Sequence, residues 1–168
     1  MASPKFKKAI IAVSAVVGFG AASYLVPFVA EHEGEVLQGY VDPVGIATKC
    51  YGDTKDVVVG QPYTQAECLD SLSSQLIAHA RPVLVSVPGV EHSPEMTAAF
   101  VSLAYNIGTD AFRRSTVAKR FNSGDYAGSC EAMKMWNKAG GKVLPGLVVR
   151  RDHEFALCMR GVPAMEGR

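Results

Sequence analysis

EGEVLQGYVDPVGIAT, residues 33–48, opens on two carboxylates and runs into a chain dense in turn formers. Asp42-Pro43 and Gly45 interrupt a run rich in Gly, Tyr, Val and Asp, and Gly52-Asp53 and Gly60 continue the pattern to residue 63. Such spacing suits short strands in hairpins and argues against helix.

Downstream the pattern turns helical. Thr64-Gln65-Ala66-Glu67 is a capping box, its hydroxyl and carboxylate placed to satisfy the first amides of a helix expected to run to about His79. Ser93-Pro94 offers an N-cap followed by a proline at the first helical position, and Met96, Phe100, Leu103 and Ile107 then recur at helical spacing, as in a central helix. Further helices are expected over 115–122, 125–136 and 147–160, separated by Asn122-Ser123-Gly124 and by Ala139-Gly140-Gly141 with Pro145-Gly146. The expected class is α+β, mostly α: a small β-hairpin region followed by a helical lobe, with an apolar helix at the N-terminus.

That apolar helix lies directly upstream. Ala9 to Ala30 is a run of 22 residues without a charge, preceded by Lys5, Lys7 and Lys8 and followed by Glu31, Glu33 and Glu35. As helix it would span about 33 Å, enough for a hydrocarbon core of about 30 Å. The lysines place the N-terminus in the cytoplasm and send residues 31–168 out of it. Six Ala, two Gly, two Ser and Pro27 make up half of the run, so insertion rests on Ile10, Ile11, Phe19, Leu25, Phe28 and the valines. Each of those contributes only about 0.3–0.6 kcal/mol, which makes a weak anchor, able to enter a bilayer and later leave it. The rival is a cleavable signal peptide with residues 9–19 as its apolar region and Gly20-Ala21-Ala22 as the cleavage site.

The chain has 168 residues, 48% apolar and 20% charged, which supports one compact domain plus an appendage. Seventeen Lys and Arg against 16 Asp and Glu leave a net charge of +1, without the basic excess of a nucleic-acid-binding module. Cys50, Cys68, Cys130 and Cys158 form no C-x-x-C pair and lie near no His at ligand spacing. In an oxidising compartment two disulfides are expected. Pairing in sequence order would join Cys50 to Cys68 and Cys130 to Cys158, one of three connectivities, while four buried thiols is the plainer alternative. His32, His79, His92 and His153 show no metal-ligand spacing, so no metal is expected.

A carboxylic acid where a helix ends and a second carboxylate on a facing hairpin can flank a sugar bond. One protonates the leaving oxygen and the other directs water from the opposite face. Taken alone, Glu33 and Asp42 would be an ordinary pair of surface acids. With their neighbours Gly34, Tyr40, Gly45 and Thr48, however, the string resembles the phage-type lysozymes, the muramidases of glycoside hydrolase family 24. Their catalytic pattern is Glu, eight residues, Asp, five residues, Thr, and the intervals 33 to 42 to 48 match it. The resemblance continues through Thr48–Thr54 (TKCYGDT), Tyr63–Cys68, Phe100–Gly108 (FVSLAYNIG), Phe112–Thr116, Asn122–Asp125, Trp136, and Gly146–Arg151 with Glu154. Ile46 and Ala47 depart from it, since relatives with this hairpin commonly carry an aromatic before the Thr.

The resemblance implies a lysozyme-like fold for residues 31–168, no cofactor, peptidoglycan glycan strands as substrate, and a monomer. It makes Glu33 the general acid, Asp42 the carboxylate that activates water, and Thr48 the hydroxyl that holds that water. Tyr40 and Asn106 become candidate sugar-binding residues. Arg150 and Arg151 become a candidate cationic support for Glu33, the alternative being a solvated helix face. Glu31 and Glu35 are read as bystanders. With residues 1–30 as the weak anchor, the whole resembles signal-arrest-release endolysins, which are held inactive at the host inner membrane and then freed into the periplasm. On release, residues 9–30 would stay intact and pack on the domain, drawing Glu33 into place. A lytic transglycosylase, which needs a single Glu, and a non-catalytic membrane-anchored wall-binding protein are the alternatives.

Overall fold

The turn formers of residues 36–63 produce a two-stranded antiparallel sheet, β1 (Val36–Val41) against β2 (Ala47–Cys50), with Tyr40 opposite Thr48 and Val41 opposite Ala47. Bridges Gln38–Pro62 and Lys49–Asp53 bring the following chain back along it. Gly39 is required where that chain returns, because a Cβ there would run into the Val58 carbonyl. The computed structural model describes residues 4–167.

The helical lobe consists of α2 (Gln65–Ser86), α3 (Pro94–Ile107), α4 (Thr109–Arg114), α5 (Thr116–Asn122), α6 (Tyr126–Ala132) and α7 (Pro145–Glu166). A small hairpin of β3 (Lys138–Ala139) and β4 (Lys142–Val143) lies between the last two helices. The capping box at Thr64–Glu67 forms, and Ser93 accepts from the Met96 amide ahead of Pro94 at the start of α3. Met96, Phe100 and Leu103 are fully buried, and α3 packs against α1 (Lys7–Glu33), α2 and α7.

Several boundaries differ from expectation. Helix α2 passes His79 and continues through Pro82 to Ser86, since the buried Ala80, Val83 and Val87 outweigh the amide that proline removes. Helix α7 likewise runs past Gly161 and Pro163, carried by Leu157, Val162 and Met165 in the core. The expected helix at 115–122 is preceded by the short α4. The one at 125–136 ends at Ala132 in a 3-10 turn, Met133–Met135, and the Gly140-Gly141 break is the tip of the β3–β4 hairpin.

Among the described residues, α1 is the helix long and apolar enough to cross a membrane. Here its Ile10, Val13, Val17, Leu25, Val26 and Val29 are buried in the core, at about 1.5–3 kcal/mol for each full side chain. Gly18 breaks it, with φ 79° and ψ 158°, into arms over 7–17 and 19–33. Lys5 and Phe6 ahead of the first arm line the same cavity as Pro27, Ala30 and Glu31 of the second, so the arms double back. Polar contacts complete the docking. Tyr24 Oη donates to Glu95 at 3.2 Å beneath the Arg160 guanidinium, and His32 Nε2 shares a hydrogen bond with His153 Nδ1 of α7 at 3.3 Å.

Two disulfides, Cys50–Cys68 and Cys130–Cys158, follow sequence order. The first ties β2 to the opening turn of α2 and the second ties α6 to α7, each worth about 3–4 kcal/mol by loop closure.

Two outcomes follow from this packing. Ser93 Oγ caps α3 and donates to the Gly161 carbonyl at 3.1 Å, occupying the space a Cβ at 161 would need. Gly161→Ala, favourable in an open helix, is expected to cost about 1–3 kcal/mol here, read as a lowered Tm by calorimetry. Burial, then Arg150 and His153, hold the His32 imidazole below its ordinary value of 6.5. The folded chain therefore binds fewer protons there than the unfolded chain, and the stability this group contributes falls as pH drops through the ordinary imidazole value of about 6.5. His32→Gln should flatten that slope in thermal melts, and an unchanged slope would dismiss the effect.

Candidate active site

Glu33 is the last residue of α1. Gly34 follows with φ 73°, its amide donating to the Ala30 carbonyl, and turns the chain toward β1. The Glu33 side chain is 20% exposed, and its Oε1 accepts from Arg150 Nη1 at 2.7 Å. Its Oε2 faces the chain leaving β2, where a Cβ on Gly52 would lie 3.6 Å away. Glu33 therefore sits between α7 and the end of the β1–β2 hairpin.

Behind it runs a row of alternating charge. Arg150 Nε donates to Glu154 Oε1 at 3.3 Å, Arg151 Nη2 reaches the same oxygen at 3.2 Å, and Arg151 Nε lies 2.8 Å from Oε2. Ser102 of α3 adds a hydroxyl donor to Oε1 at 2.7 Å. Residues three and four apart on a helix share a face, so α7 itself assembles both pairs. Arg150, Arg151 and Glu154 are all buried. Burial pushes the Glu154 carboxyl up against the pull of Arg151 and Arg150, and it pushes Arg151 down.

The solvated-face reading of the two arginines is thus overturned: Arg150 pairs with Glu33, and Arg151 anchors Glu154. Arg151 also donates to Asn106 Oδ1 at 3.1 Å, which fixes the orientation of that side chain at the end of α3. Ser102 and Glu154 went unassigned in the sequence. The signal lay in Glu154 standing three and four residues after two arginines.

On the hairpin, Asp42 Oδ1 accepts from the amides of Val44 at 2.9 Å and Ile46 at 2.8 Å. Oδ2 takes no hydrogen bond among the described residues. Thr48 is buried and its hydroxyl donates to the Ile46 carbonyl at 3.0 Å, leaving its lone pairs to accept. Tyr40 faces Thr48 across the ladder. Tyr105 Oη lies 3.2 Å from both the Tyr51 carbonyl and Gln75 Oε1, and burial, reinforced by Glu33, pushes its phenol up.

Glu31 is exposed, whereas Glu35 is engaged with its neighbours. It accepts from the Tyr51 phenol at 2.7 Å and from Gln65 Nε2 at 3.1 Å. Among the described residues no group of three or more His, Cys, Asp or Glu is placed to hold a metal ion.

The phage lysozyme family profile matches residues 30–154. The SAR-endolysin of Enterobacteria phage P21 is 38% identical over 167 residues, covering 94% of this chain and 98% of that one. The endolysin from Escherichia coli O157:H7 phage FAHEc1 superposes with a TM-score of 0.74 at 31% identity, covering 81% of this chain and 90% of its own. The active form of P1 phage endolysin Lyz shares the fold, with a TM-score of 0.76 at 20% identity over 91% of this chain and 94% of its own. On the profile match and on identity sustained along nearly the whole chain, the protein belongs to the phage lysozyme family.

Proposed function

We propose that this lysozyme-type glycosidase is a phage endolysin that hydrolyses the β-1,4 bond between N-acetylmuramic acid and N-acetylglucosamine in peptidoglycan. The observation that carries this reading is Glu33, held through one oxygen by Arg150 while the other faces Gly52 of the hairpin. A protonated Glu33 keeps the Arg150 bond on Oε1 and delivers its proton from Oε2 to the glycosidic oxygen. Asp42, pinned through Oδ1, has Oδ2 to draw a proton from water, and Thr48 accepts that water's second hydrogen. Tyr40 and Asn106 flank the sugars. Protonation and a directed water suffice, so the reaction calls for no cofactor.

The relatives' SAR-endolysin names and the apolar α1 support a second half to the reading. Residues 9–30 first hold the chain in the host inner membrane, N-terminus cytoplasmic, with residues 31–168 in the periplasm. While they are inserted, Glu33 stays within about 5 Å of the bilayer exit if helical and about 10 Å if extended. It cannot then reach Arg150. Release of the segment, its bending at Gly18 and its burial in the core bring Glu33 to α7.

Glu33→Gln and Asp42→Asn should each lower turnover on purified peptidoglycan by roughly 10²- to 10⁴-fold while the fold melts normally. Mass spectrometry of the digest should show hydrated reducing ends, and anhydro ends would replace this mechanism with that of a lytic transglycosylase. Fractionation with N-terminal sequencing should find the uncleaved chain in membranes before depolarisation and in the soluble fraction after it. A soluble product trimmed near Ala22 alone would remove the release half and leave the glycosidase.

A further inference from the structure

Glu35 stands two residues past Glu33, and both of its oxygens are committed. Oε1 accepts from Tyr51 Oη at 2.7 Å, and Gln65 Nε2 lies 3.1 Å from each oxygen. A carboxylate held in this way is poorly placed to give a proton to substrate, so it is no substitute for Glu33. Its partners flank one crosslink: Tyr51 follows Cys50, Gln65 precedes Cys68 by three residues, and those two cysteines are bonded. Tyr51 is 1% exposed, and its carbonyl faces Tyr105 of α3. The receiving end of the contact is therefore tied to the helical lobe by the crosslink and by Tyr105.

The other end is the short link between α1 and β1, whose ladder begins at Val36 opposite Cys50. Gly34 sits at φ 73° with nothing within 4 Å of its Cβ position, so its bend is set by what holds the residues on either side. Arg150 holds Glu33 on one side, and the Tyr51–Gln65 pair holds Glu35 on the other. Tyr51 and Gly52 are consecutive, and they face the two carboxylates in turn, Tyr51 Oη at Glu35 and Gly52 beside Glu33 Oε2.

We propose that Glu35 is a positioning residue for the reaction. By clamping the chain just beyond Gly34 to Tyr51 and Gln65, it sets the direction in which Glu33 presents its free oxygen. The proposal rests on the reading of Glu33 as the acid.

The test uses the full-length released chain on purified peptidoglycan, with kcat and KM resolved and Tm measured alongside. Glu35→Ala is expected to lose about 10- to 100-fold in kcat, the scale of an acid misplaced by about 1 Å, with KM within about twofold. Glu35→Gln keeps an oxygen for the Tyr51 hydroxyl and should recover most of the loss. Tyr51→Phe deletes one hydroxyl from an otherwise unchanged core and should lower kcat several-fold at constant KM. Parent-like kcat in both Glu35→Ala and Tyr51→Phe overturns the proposal, as does a loss that follows Tm and is not rescued by Glu35→Gln. Glu33→Gln runs in parallel: if it is dead while Glu35→Ala is fully active, only the clamp falls, whereas a fully active Glu33→Gln removes the acid assignment and the clamp together.

Discussion

The proposed acid is covalently the last residue of a helix whose apolar face has to be buried, and most of the structure answers to that constraint. Wherever residues 9–30 go, Glu33 goes with them, because only Glu31 and His32 intervene. In the folded chain the face lies against α2 and α3, and its end arrives beside Arg150 on α7. Core formation and placement of the acid are one packing event.

The composition of the segment suits two environments. Alanine and glycine contribute little to bilayer insertion, which leaves the span marginal. The same residues let the helix approach its neighbours closely: Ala9, Ala21 and Ala22 are fully buried, and a Cβ on Gly20 would already press within 3.1–3.2 Å of Pro94. Gly18 adds a second accommodation. About 33 Å of straight helix crosses a bilayer, whereas in the folded chain the φ of 79° at Gly18 folds the strip into two shorter arms. Ile11 and Phe19 remain outside the core.

What was legible in the sequence was what local chemistry dictates. The capping box, the Ser93-Pro94 start and the turns around Asp42 and Gly45 stand where side-chain hydrogen bonding and backbone freedom require them. The ends of α2 and α7 lie beyond the expected ones, because buried neighbours on the same helices carry them past Pro82, Gly161 and Pro163. At the candidate site, Glu33, Asp42 and Thr48 are proposed because the string around them resembles the family pattern, not because of their chemistry alone. Glu154 and Ser102 touch the site only through other side chains, and the role of Glu35 depends on Tyr51 and Gln65, 16 and 30 residues away. Such contacts exist only after the fold brings the elements together.

Charge balance explains why docking is specific rather than merely hydrophobic. With α1 docked, the row on α7 is buried, and apart from Glu33 it comprises two guanidiniums and one carboxylate, an excess of one positive charge. A cation left uncompensated in such a setting costs several kcal/mol, and any apolar helix could cover the neighbouring core without relieving it. Before it takes up the proton it delivers, Glu33 supplies the missing negative charge at 2.7 Å from Arg150, so the row becomes neutral only when the end of α1 stands in register. A slip by one helical residue would move that carboxylate about 100° around the helix, away from Arg150, and leave the cation unpaired. The register that neutralises α7 is the one that turns Glu33 toward the hairpin.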